Sequence, residues 1–574
     1  MVFPRLFLFG ISTVGSFEWI RKISKDKVNL YFLPSLTIAI QVTILFMAGL
    51  WNLLPQVTTV LYLVGFAGVI YCICEERNLS FLKTYANVGY GVMLVLLLIL
   101  AAYLKGKIFS HYDNFSHWAM VVRRMLEVNR YPNFEDTLIV FQEYPLGSAT
   151  YIYYFAKLIN PSESIQMLAQ SYMMLAAVLP LYAFAKKHQA AVSIVVVSFV
   201  NYVLLNNIRI TDLLVDTLLP LVGVCGLLFT YLHCKEEGKL SFYFSAFYMI
   251  QLVQIKNSGI FFVAFIVIQL LIFAWRKKEY LHGVISAVMP FLSLILWQKH
   301  CKYVFSAAAT SKHAMTVENY KSVFGDKTAE DIHLICTSMI KFVITYKEVW
   351  TTAGIGLLIG VLILSTRKKR LERMFRKTVV FSLLLYVTYQ IGMLAMYLFS
   401  MPGWEATHLA SIDRYTKTVL IAILYLLMVP AVKLISVIRK KKAMTIIATA
   451  STFASFFVGM FISSGTIRTV VQNKIDASER NWIEAACEKY GVPMYESYTI
   501  LIPASDAGYA HYLGKYIFQS NDITTPVVES VENLDEITSK YIFVYDQDNE
   551  IIKNWIAEKY PEQQGNEVIV QAVK

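Results

Sequence analysis

Charged side chains are scarce in this chain of 574 residues, of which 16% are charged and 56% are hydrophobic. Ordinary soluble domains carry about 25% charged residues. Many of the apolar runs reach the ~20 residues that a helix needs to cross a ~30 Å hydrocarbon core. The composition therefore predicts a polytopic, all-α membrane protein that resides in a lipid bilayer.

Cysteine and glycine patterns exclude further classes of protein. The seven cysteines are scattered, and the pair Cys72 and Cys74 lacks the additional ligands that a zinc site requires. No glycine-rich phosphate loop is present, because Gly15, Gly49 and Gly89 stand alone. We therefore predict no disulfide framework, no metal site, no cofactor and no ATP-driven transport, although a divalent metal is left open.

The formal charge of +12 is distributed in short clusters between the hydrophobic spans. Cytoplasmic loops of membrane proteins carry such an excess of Lys and Arg, and this rule explains the clusters better than a nucleic-acid surface. We therefore predict no nucleic-acid partner. The clusters are Arg21–Lys27, Lys186–Lys187, Arg276–Lys278, Arg367–Lys377 and Arg439–Lys442.

Hydropathy and the basic loops together predict about thirteen spans, with a cytoplasmic N-terminus and every basic cluster on the cytoplasmic side. Residues 1–30 are predicted to be cytoplasmic or interfacial, because no small-residue cleavage site precedes Glu18. Residues 31–466 form the predicted transmembrane domain. Its spans are 31–52, 57–74, 85–104, 164–185, 191–208, 213–233, 241–255, 258–275, 281–299, 349–366, 378–400, 416–438 and 443–466.

The first large loop and the C-terminal region are predicted to lie outside the cytoplasm. The first large loop, 105–163, contains an apolar-periodic stretch at Ser116–Leu126 that predicts an interfacial amphipathic helix. After residue 466 the composition becomes that of a soluble protein, and 467–574 is predicted to be a small extracytoplasmic α+β domain. Its predicted helices lie near 477–490 and 547–559, and its predicted strands are Ser497–Ile502 and Lys540–Tyr545.

A polar motif, His111-Tyr-Asp-Asn-Phe-Ser-His-Trp118, directly follows the third predicted span. Titratable groups at a membrane surface are costly, so the motif is a functional-site hypothesis. The carboxylate of Asp113, between His111 and His117, can act as a general base toward a hydroxyl group. The alternative is that Asp113 is a hydrated loop acid that caps the following helix.

Two further acids, Asp212 and Asp216, are four residues apart and would share one face of a helix. Asp216 lies inside a predicted span, where an unpaired carboxylate is expensive. The alternative is a structural ion pair, such as Arg209 with Asp212.

Two cations stand at predicted outer turns. Lys256, within Gln254–Gly259, lies on the side that the positive-inside rule does not explain, and it suits a lipid phosphate or pyrophosphate. Arg414 offers a bidentate fork for phosphate next to Tyr415. The alternatives are a snorkelling lysine and an interfacial Arg–Tyr anchor.

Another acid, Glu143, belongs to Glu143-Tyr-Pro-Leu-Gly147 and is expected to line the same outer cavity. An acid, a lysine and an arginine on one side of the membrane suit a single chemical task. The two cations would hold a leaving lipid phosphate by electrostatic attraction, while a carboxylate deprotonates an incoming alcohol.

The order of these motifs resembles the GT-C superfamily of integral-membrane glycosyltransferases, such as the protein O-mannosyltransferases and the bacterial aminoarabinose transferases. The His111–Trp118 motif resembles the acidic motif of the first large outer loop, and Glu143–Gly147 resembles the proline-bearing segment that follows. Asp212 and Asp216 resemble the second outer acid. Lys256–Gly259 and Ser411–Tyr415 resemble the lysine turn and the motif that ends in Asp-Arg-Tyr.

The resemblance covers roughly residues 85–466, and it implies a many-helix fold and transfer of sugar from a polyprenyl-linked donor. It implies that Asp113 is the general base and that Lys256 and Arg414 bind the donor phosphate. It implies that Asp216, or less favourably Asp212, forms a second polar wall of the substrate cavity. The further substrate contacts are His111, His117, Trp118, Glu143 and Tyr415. One departure is Asn114, where many members have a second acid.

We therefore predict a glycosyltransferase of a bacterial plasma membrane with its active site on the extracytoplasmic face. The donor is a polyprenyl-phosphate-linked sugar, and the acceptor is a hydroxyl of a cell-surface glycan, polymer or lipid. The alternatives are a polysaccharide polymerase or ligase of another fold, and a lipid-linked sugar flippase or transporter. A transporter predicts repeated halves and charges deep in the spans, and no internal repeat is apparent in the sequence.

Overall fold

A computed structural model describes residues 2–185, 187–206, 210–236, 238–305, 317–437, 442–463 and 479–571. The chain divides into two compact units. The helical unit comprises Met1–Lys105, Glu143–Ile210 and Val215–Gln472, and the sheet unit comprises Gly106–Gln142, Thr211–Leu214 and Asn473–Lys574. Four predicted features lie outside the described residues: Lys186, Arg209, residues 439–441 of the last basic cluster and the 466/467 boundary.

Among its described residues, the helical unit contains eight helices that are long and apolar enough to cross a membrane. They are Leu30–Leu50, Leu54–Glu76, Glu163–Phe184, Asn257–Lys277, Tyr280–Val304, Lys347–Ser365, Lys369–Phe399 and Ile412–Val437. The shorter apolar helices are Val88–Leu104, Gln189–Leu204, Leu218–Cys234, Leu240–Ile255 and Lys442–Val458. A mainly helical chain with helices long and apolar enough to cross a membrane is thus confirmed, whereas a count of about thirteen spans and their orientation stay predictions.

We number the α-helices in chain order over the described residues. The first ten are α1 (Val2–Ser24), α2 (Leu33–Leu50), α3 (Leu54–Glu76), α4 (Val88–Leu104), α5 (Ala119–Val128), α6 (Gly147–Ile159), α7 (Glu163–Val178), α8 (Gln189–Asn206), α9 (Leu218–Phe229) and α10 (Leu240–Ile255). The next nine are α11 (Ile260–Lys277), α12 (Tyr280–Val304), α13 (Val317–Gly325), α14 (Ala329–Thr345), α15 (Lys347–Ser365), α16 (Lys369–Phe399), α17 (Gly403–Thr407), α18 (Ile412–Val437) and α19 (Lys442–Ser463). The last four are α20 (Glu479–Tyr490), α21 (Tyr509–Phe518), α22 (Val531–Asp535) and α23 (Glu550–Lys559).

Two of the long apolar helices lie in the interior of the helical unit. In both Glu163–Phe184 and Ile412–Val437, 94% of the most apolar window is buried, compared with 22% in Leu54–Glu76. A helix that is apolar on all sides is stable either in lipid or in the interior of a protein. Helix α18 therefore lies in the interior. The packing of the surrounding helices then fixes the positions of the polar residues at its beginning.

The N-terminal helix α1 lies along α3 at three glycines. A Cβ atom on Gly15 would come within 1.8 Å of the Gly65 carbonyl oxygen, and one on Gly68 within 2.3 Å of the Gly15 carbonyl oxygen. Small residues allow helix backbones to approach this closely. Residues 2–24 therefore pack as part of the helical unit, and their predicted cytoplasmic or interfacial position stays a prediction.

Within 479–571, the C-terminal region of the sheet unit contains four strands, β1 (Tyr498–Leu501), β2 (Ile523–Thr524), β3 (Tyr541–Val544) and β4 (Val568–Val570). Their order is β2-β1-β3-β4, with β1 parallel to both β2 and β3, and β4 antiparallel to β3. In the register, Tyr498 pairs with Ile523 and Tyr541, and Tyr541 pairs with Val570. Ile542 and Trp555 are buried on one side of this sheet.

The local predictions for this region are confirmed. The two predicted strands contain β1 and β3, and the two predicted helices contain α20 and α23. Helix α23 begins at Glu550 because the side chain of Asn549 accepts hydrogen bonds from the backbone N–H groups of Ile551 and Ile552. Short apolar runs rich in β-branched and aromatic residues, and a helix that begins at a capping asparagine, are local features, so the sequence alone identifies them.

Candidate functional site

Helix ends bring three predicted site residues together in the helical unit. Asp216 lies two residues before the first residue of α9, Lys256 directly follows α10, and Arg414 lies in the first turn of α18. The Lys256 Nζ atom donates to Asp216 Oδ1 at 2.9 Å, and the Arg414 Nε atom lies 3.8 Å from Asp216 Oδ2. The carboxylate of Asp216 therefore lies between an ammonium and a guanidinium group.

An aromatic ring completes this arrangement. The Tyr415 ring centroid is 5.2 Å from Lys256 Nζ and 5.4 Å from Arg414 Cζ, so both cations are within cation–π range of one ring. The hydroxyl of Thr418, one turn further along α18, donates to the backbone carbonyl of Asp216 at 3.2 Å. We call Asp216, Lys256, Arg414 and Tyr415 the cation cluster.

A tight turn places Lys256 in the cluster. The backbone of Lys256 is extended, which ends α10, and the short 3₁₀ turn Asn257–Gly259 then leads into α11. A Cβ atom on Gly259 would lie 2.1 Å from the Leu252 carbonyl oxygen, so only glycine permits this close return of the chain. The turn thus holds the lysine between two helices rather than on the outside of one.

Helix dipoles distinguish Arg414 from its neighbours. A carboxylate before a helix and a cation after a helix are both stabilised by the partial charges of the helix ends, as for Asp216 and Lys256. Arg414 instead stands in the first turn of α18, at the positive end of its dipole. Its position is therefore electrostatically unfavourable unless a negative charge lies close by, and Asp216 supplies one such charge within the cluster.

Solvent access differs among the charged side chains of the cation cluster. The side chain of Asp216 is 5% exposed, whereas those of Lys256 and Arg414 are 18% and 24% exposed. Lysine has three N–H donors and arginine five. The Asp216 carboxylate is therefore buried beneath the two cations, and the accessible surface of the cluster is that of Lys256 and Arg414.

The predicted segment Glu143–Gly147 lies beside the lysine turn. The indole N–H of Trp297 donates to the Glu143 carbonyl at 2.9 Å. A Cβ atom on Gly147 would come within 2.7 Å of the Gln254 carbonyl oxygen, two residues before Lys256. The backbone of the segment thus packs against α10, while the Glu143 side chain is exposed.

The other predicted motif, His111–Trp118, belongs to the sheet unit. A π-helical turn, Asn114–Trp118, follows Asp113 and continues into α5. The His111 Nδ1 atom accepts a hydrogen bond from the backbone N–H of Asp113 at 3.1 Å, and the Asp113 side chain is half-buried. Single π-helical turns occur frequently at functional sites, because the extra residue redirects the side chains around it.

His117 and Trp118 are packed in the interior of the sheet unit. The ring of His117 lies 4.8 Å from that of Trp118 and 5.8 Å from that of Phe141. Burial lowers the pKa of His117 to about 3, so its imidazole is neutral at neutral pH. Any contact that His117 makes with a substrate therefore involves a neutral ring.

Asn114 holds Asp212 within the sheet unit. The amide nitrogen of Asn114 donates to Asp212 Oδ1 at 3.0 Å, and its amide oxygen accepts from the backbone N–H of Leu213 at 3.0 Å. An ionised acid at position 114 has no N–H to donate, so asparagine is the residue that satisfies both partners. This gives a physical reason for an asparagine at position 114.

The prediction that Asp212 and Asp216 share one face of a helix is wrong. Residues 210–217 are not helical, and α9 begins only at Leu218, so the spacing of four does not align the two side chains. Asp212 belongs to the sheet unit and Asp216 to the helical unit. Hydropathy extended the span to residue 213 because Leu213, Leu214 and Val215 are apolar, although their backbone is irregular.

Sequence reasoning also missed a buried ion network in the first polar loop. The side chain of Asp136 is 0% exposed, and its oxygens lie 2.9 Å from Arg124 and 2.7 Å from Arg130. Its Oδ2 atom also accepts from the backbone N–H of Asn133 at 2.9 Å. Two arginines and an aspartate within thirteen residues of sequence are the signal that could have indicated this folded loop.

The described residues contain no group of three or more His, Cys, Asp and Glu side chains arranged to hold a metal ion. Comparisons with protein-family models, with curated proteins and with solved structures find no match to this chain. The function is therefore argued from the residues of the two units and their chemistry.

Proposed function

We propose that this protein is a membrane glycosyltransferase of the GT-C kind. It would move a sugar from a polyprenyl-phosphate-linked donor to a hydroxyl of a cell-surface glycan, polymer or lipid. The cation cluster carries this proposal, because it presents an ammonium, a guanidinium and an aromatic ring at the ends of apolar helices. That is where the phosphate of a membrane-bound lipid would lie.

In this mechanism the cluster binds the donor phosphate. The guanidinium of Arg414 engages two phosphate oxygens through its planar fork, and the ammonium of Lys256 acts as a point charge. Asp216 holds Lys256 in place at 2.9 Å before the donor arrives. Because the leaving phosphate gains negative charge as its bond to the sugar breaks, preorganised cations stabilise the transition state more than the bound donor.

The proposal assigns acceptor activation to Asp113. Its carboxylate accepts the proton of the acceptor hydroxyl while that oxygen forms a bond to the anomeric carbon. The bond between the anomeric carbon and the phosphate oxygen breaks, and its electron pair leaves with the lipid phosphate. Direct displacement of this kind inverts the anomeric centre.

The cellular setting is part of the proposal. The positive-inside rule, applied to the basic loops, assigns the site to the extracytoplasmic face of the membrane. A bacterial plasma membrane is the proposed location, since polyprenyl-linked sugars and surface polymers meet there.

The deciding experiment compares wild-type protein with Asp113→Asn and Lys256→Gln in membranes supplied with radiolabelled polyprenyl-phosphate sugars. We expect label transfer by the wild type and a loss of about 100-fold or more for Asp113→Asn. Lys256→Gln should bind polyprenyl phosphate more weakly. Glu135→Gln, which changes an exposed acid of the same loop, is the matched control and should transfer label normally.

Equal transfer by wild type and Asp113→Asn would contradict the role of Asp113. Failure of the wild type with every donor tested, together with accelerated movement of a lipid-linked sugar between leaflets, would favour the flippase. Both functions require a phosphate-binding cluster, so binding alone does not distinguish them.

A further inference from the structure

The C-terminal region of the sheet unit contacts the chain immediately before Asp113. Arg480, at the beginning of α20, donates from its guanidinium to the Phe109 carbonyl at 2.8 Å. The hydroxyl of Tyr509, at the beginning of α21, donates to the Ser110 carbonyl at 3.1 Å. Two successive carbonyls, four and three residues before Asp113, are thus held by residues from the other end of the chain.

Aromatic contacts hold Tyr112 and Phe115, which lie on either side of Asp113 in the sequence. The ring of Tyr112 lies edge-on to that of Tyr512 with centroids 5.0 Å apart. On the other side, the ring of Phe115 is fully buried, 5.2 Å from Tyr516 and 5.8 Å from Tyr509. Side chains before and after the carboxylate are therefore anchored on α21.

Arg480 connects these contacts. Its guanidinium carbon lies 5.8 Å from the Phe115 ring and 5.4 Å from the Tyr516 ring, and the residue is only 5% exposed. Glu484, one turn along α20, accepts from Arg480 Nε at 2.8 Å and orients the group. A buried guanidinium that serves a carbonyl, a carboxylate and two rings cannot be replaced by a lysine point charge.

The π-helical turn makes such anchoring necessary. A π turn contains one residue more than an α turn, and π-helical backbone is rare in proteins, where it occurs mostly as single turns. If the turn Asn114–Trp118 relaxed to an α-helix, the residues before it would rotate by about 100° around the helix axis. The direction of the Asp113 side chain thus depends on contacts that hold the extra residue in place.

We propose that the C-terminal region is a clamp that orients Asp113, with Arg480 and Tyr509 as positioning residues. This inference rests on the proposed function, in which Asp113 is the general base. It assigns the C-terminal region a role in the chemistry of the first polar loop. Phe109 of the loop and Arg480 of the C-terminal region are 371 residues apart in the sequence.

The test uses the full-length protein in lipid nanodiscs with Arg480→Ala, Arg480→Lys and Tyr509→Phe. Hydrogen–deuterium exchange reports on amides 109–118, and steady-state kinetics with a polyprenyl-phosphate-linked sugar report kcat and the KM for the donor. Lys489→Ala is the matched control, because it removes an exposed ion pair with Glu567 from the same helix α20. Tyr509→Phe removes one hydroxyl and keeps the ring, so the test remains decisive if Arg480→Ala does not fold.

We expect Arg480→Ala to speed exchange of amides 109–118 at least about tenfold, because a buried carbonyl loses its donor. Its kcat should fall about 100-fold with an unchanged donor KM, since misorientation of a catalytic group affects turnover rather than phosphate binding. Tyr509→Phe should show smaller changes in the same direction, Arg480→Lys should recover only part of kcat, and Lys489→Ala should match the wild type.

Unchanged exchange in Arg480→Ala and Tyr509→Phe would overturn the clamp. Faster exchange with an unchanged kcat would overturn the positioning of Asp113, because a loosened segment would then be of no consequence for turnover. If the wild type transfers no sugar, the proposed function fails separately. Faster exchange would then still support the clamp, and unchanged exchange would still remove it.

Discussion

The cation cluster and the Asp113 motif are built by different physical means. The cluster consists of charges at three helix ends, and a direct ion pair of 2.9 Å connects Lys256 to Asp216. Asp113 instead lies beside a π-helical turn held by buried rings and by donors to backbone carbonyls. Electrostatic attraction acts on few atoms over several ångströms, whereas packing requires many contacts at close range. Changes in charge should therefore affect the cluster most, and changes in shape or burial should affect the motif most.

The largest effect is expected from Lys256→Met, which leaves Asp216 buried without its closest partner. Breaking a buried ion pair from one side costs about 3–5 kcal/mol. We expect a matching fall in thermal stability in detergent and a loss of polyprenyl-phosphate binding. In the double variant Lys256→Met with Asp216→Leu, stability should recover while phosphate binding should not. Recovery of both would show that the cluster is structural only.

Asn114→Asp tests whether the motif tolerates a charge. An ionised acid there loses its donation to Asp212 and faces a second carboxylate, at a cost of about 3 kcal/mol. Proximity of the two acids raises the folded-state pKa of one of them above its unfolded value. Stability is then retained at low pH and lost as pH rises through that folded-state pKa. Thermal unfolding between pH 4 and pH 8 measures this, and a pH-independent melting difference from wild type would contradict the prediction.

A smaller effect is expected at His117, where the stability of the fold decreases as pH falls rather than as pH rises. Its folded-state pKa of about 3 lies below the unfolded value of about 6.5, so the unfolded chain binds the proton more tightly. The stabilisation is complete above the unfolded pKa and is lost as pH falls toward the folded one, by about 2 kcal/mol at pH 5. We expect His117→Phe to be less sensitive to acid, as measured by the change in melting temperature between pH 7 and pH 5. Identical changes in both proteins would show that His117 does not titrate as described.

The smallest effect is expected from the aromatic ring of the cluster. Tyr415→Leu removes the cation–π contacts with Lys256 and Arg414, at a cost of about 1 kcal/mol in polyprenyl-phosphate binding. Tyr415→Phe keeps the ring and should bind as the wild type does. Titration of both variants with the lipid distinguishes the ring from the hydroxyl. Equal weakening by Phe and Leu would assign the effect to the hydroxyl.

The cluster was accessible to sequence reasoning because its members break local rules. Lys256 lies at a turn where the topology predicted no cation, and Asp216 is an acid near an apolar run. Such violations are costly and therefore informative. The contacts of Thr418 with Asp216 and of Trp297 with Glu143 were not predicted, because a hydroxyl or an indole in an apolar helix is common without any such contact.

The motif shows the limit of the same reasoning. Its polar residues indicated a site, but the π-helical turn, the role of Asn114 and the non-helical backbone of 210–217 were not predicted. Hydropathy measures composition over a window, and it does not detect a change of backbone geometry within an apolar run. The pairing of Asn114 with Asp212 connects residues 98 positions apart, and no local pattern reports it.

The sequence by itself determined the apolar helices, the two longer strands of the C-terminal sheet and the residues whose charge is out of place. These features depend on periodicity and composition over 5–20 neighbouring residues, which any short window of sequence contains. Only the tertiary structure decided that Gly106–Gln142 folds with Asn473–Lys574, and that three helix ends converge on Asp216. The physical reason is that burial of Phe115 and pairing of Lys256 are satisfied by whichever distant groups packing brings near, and the local sequence does not specify those groups.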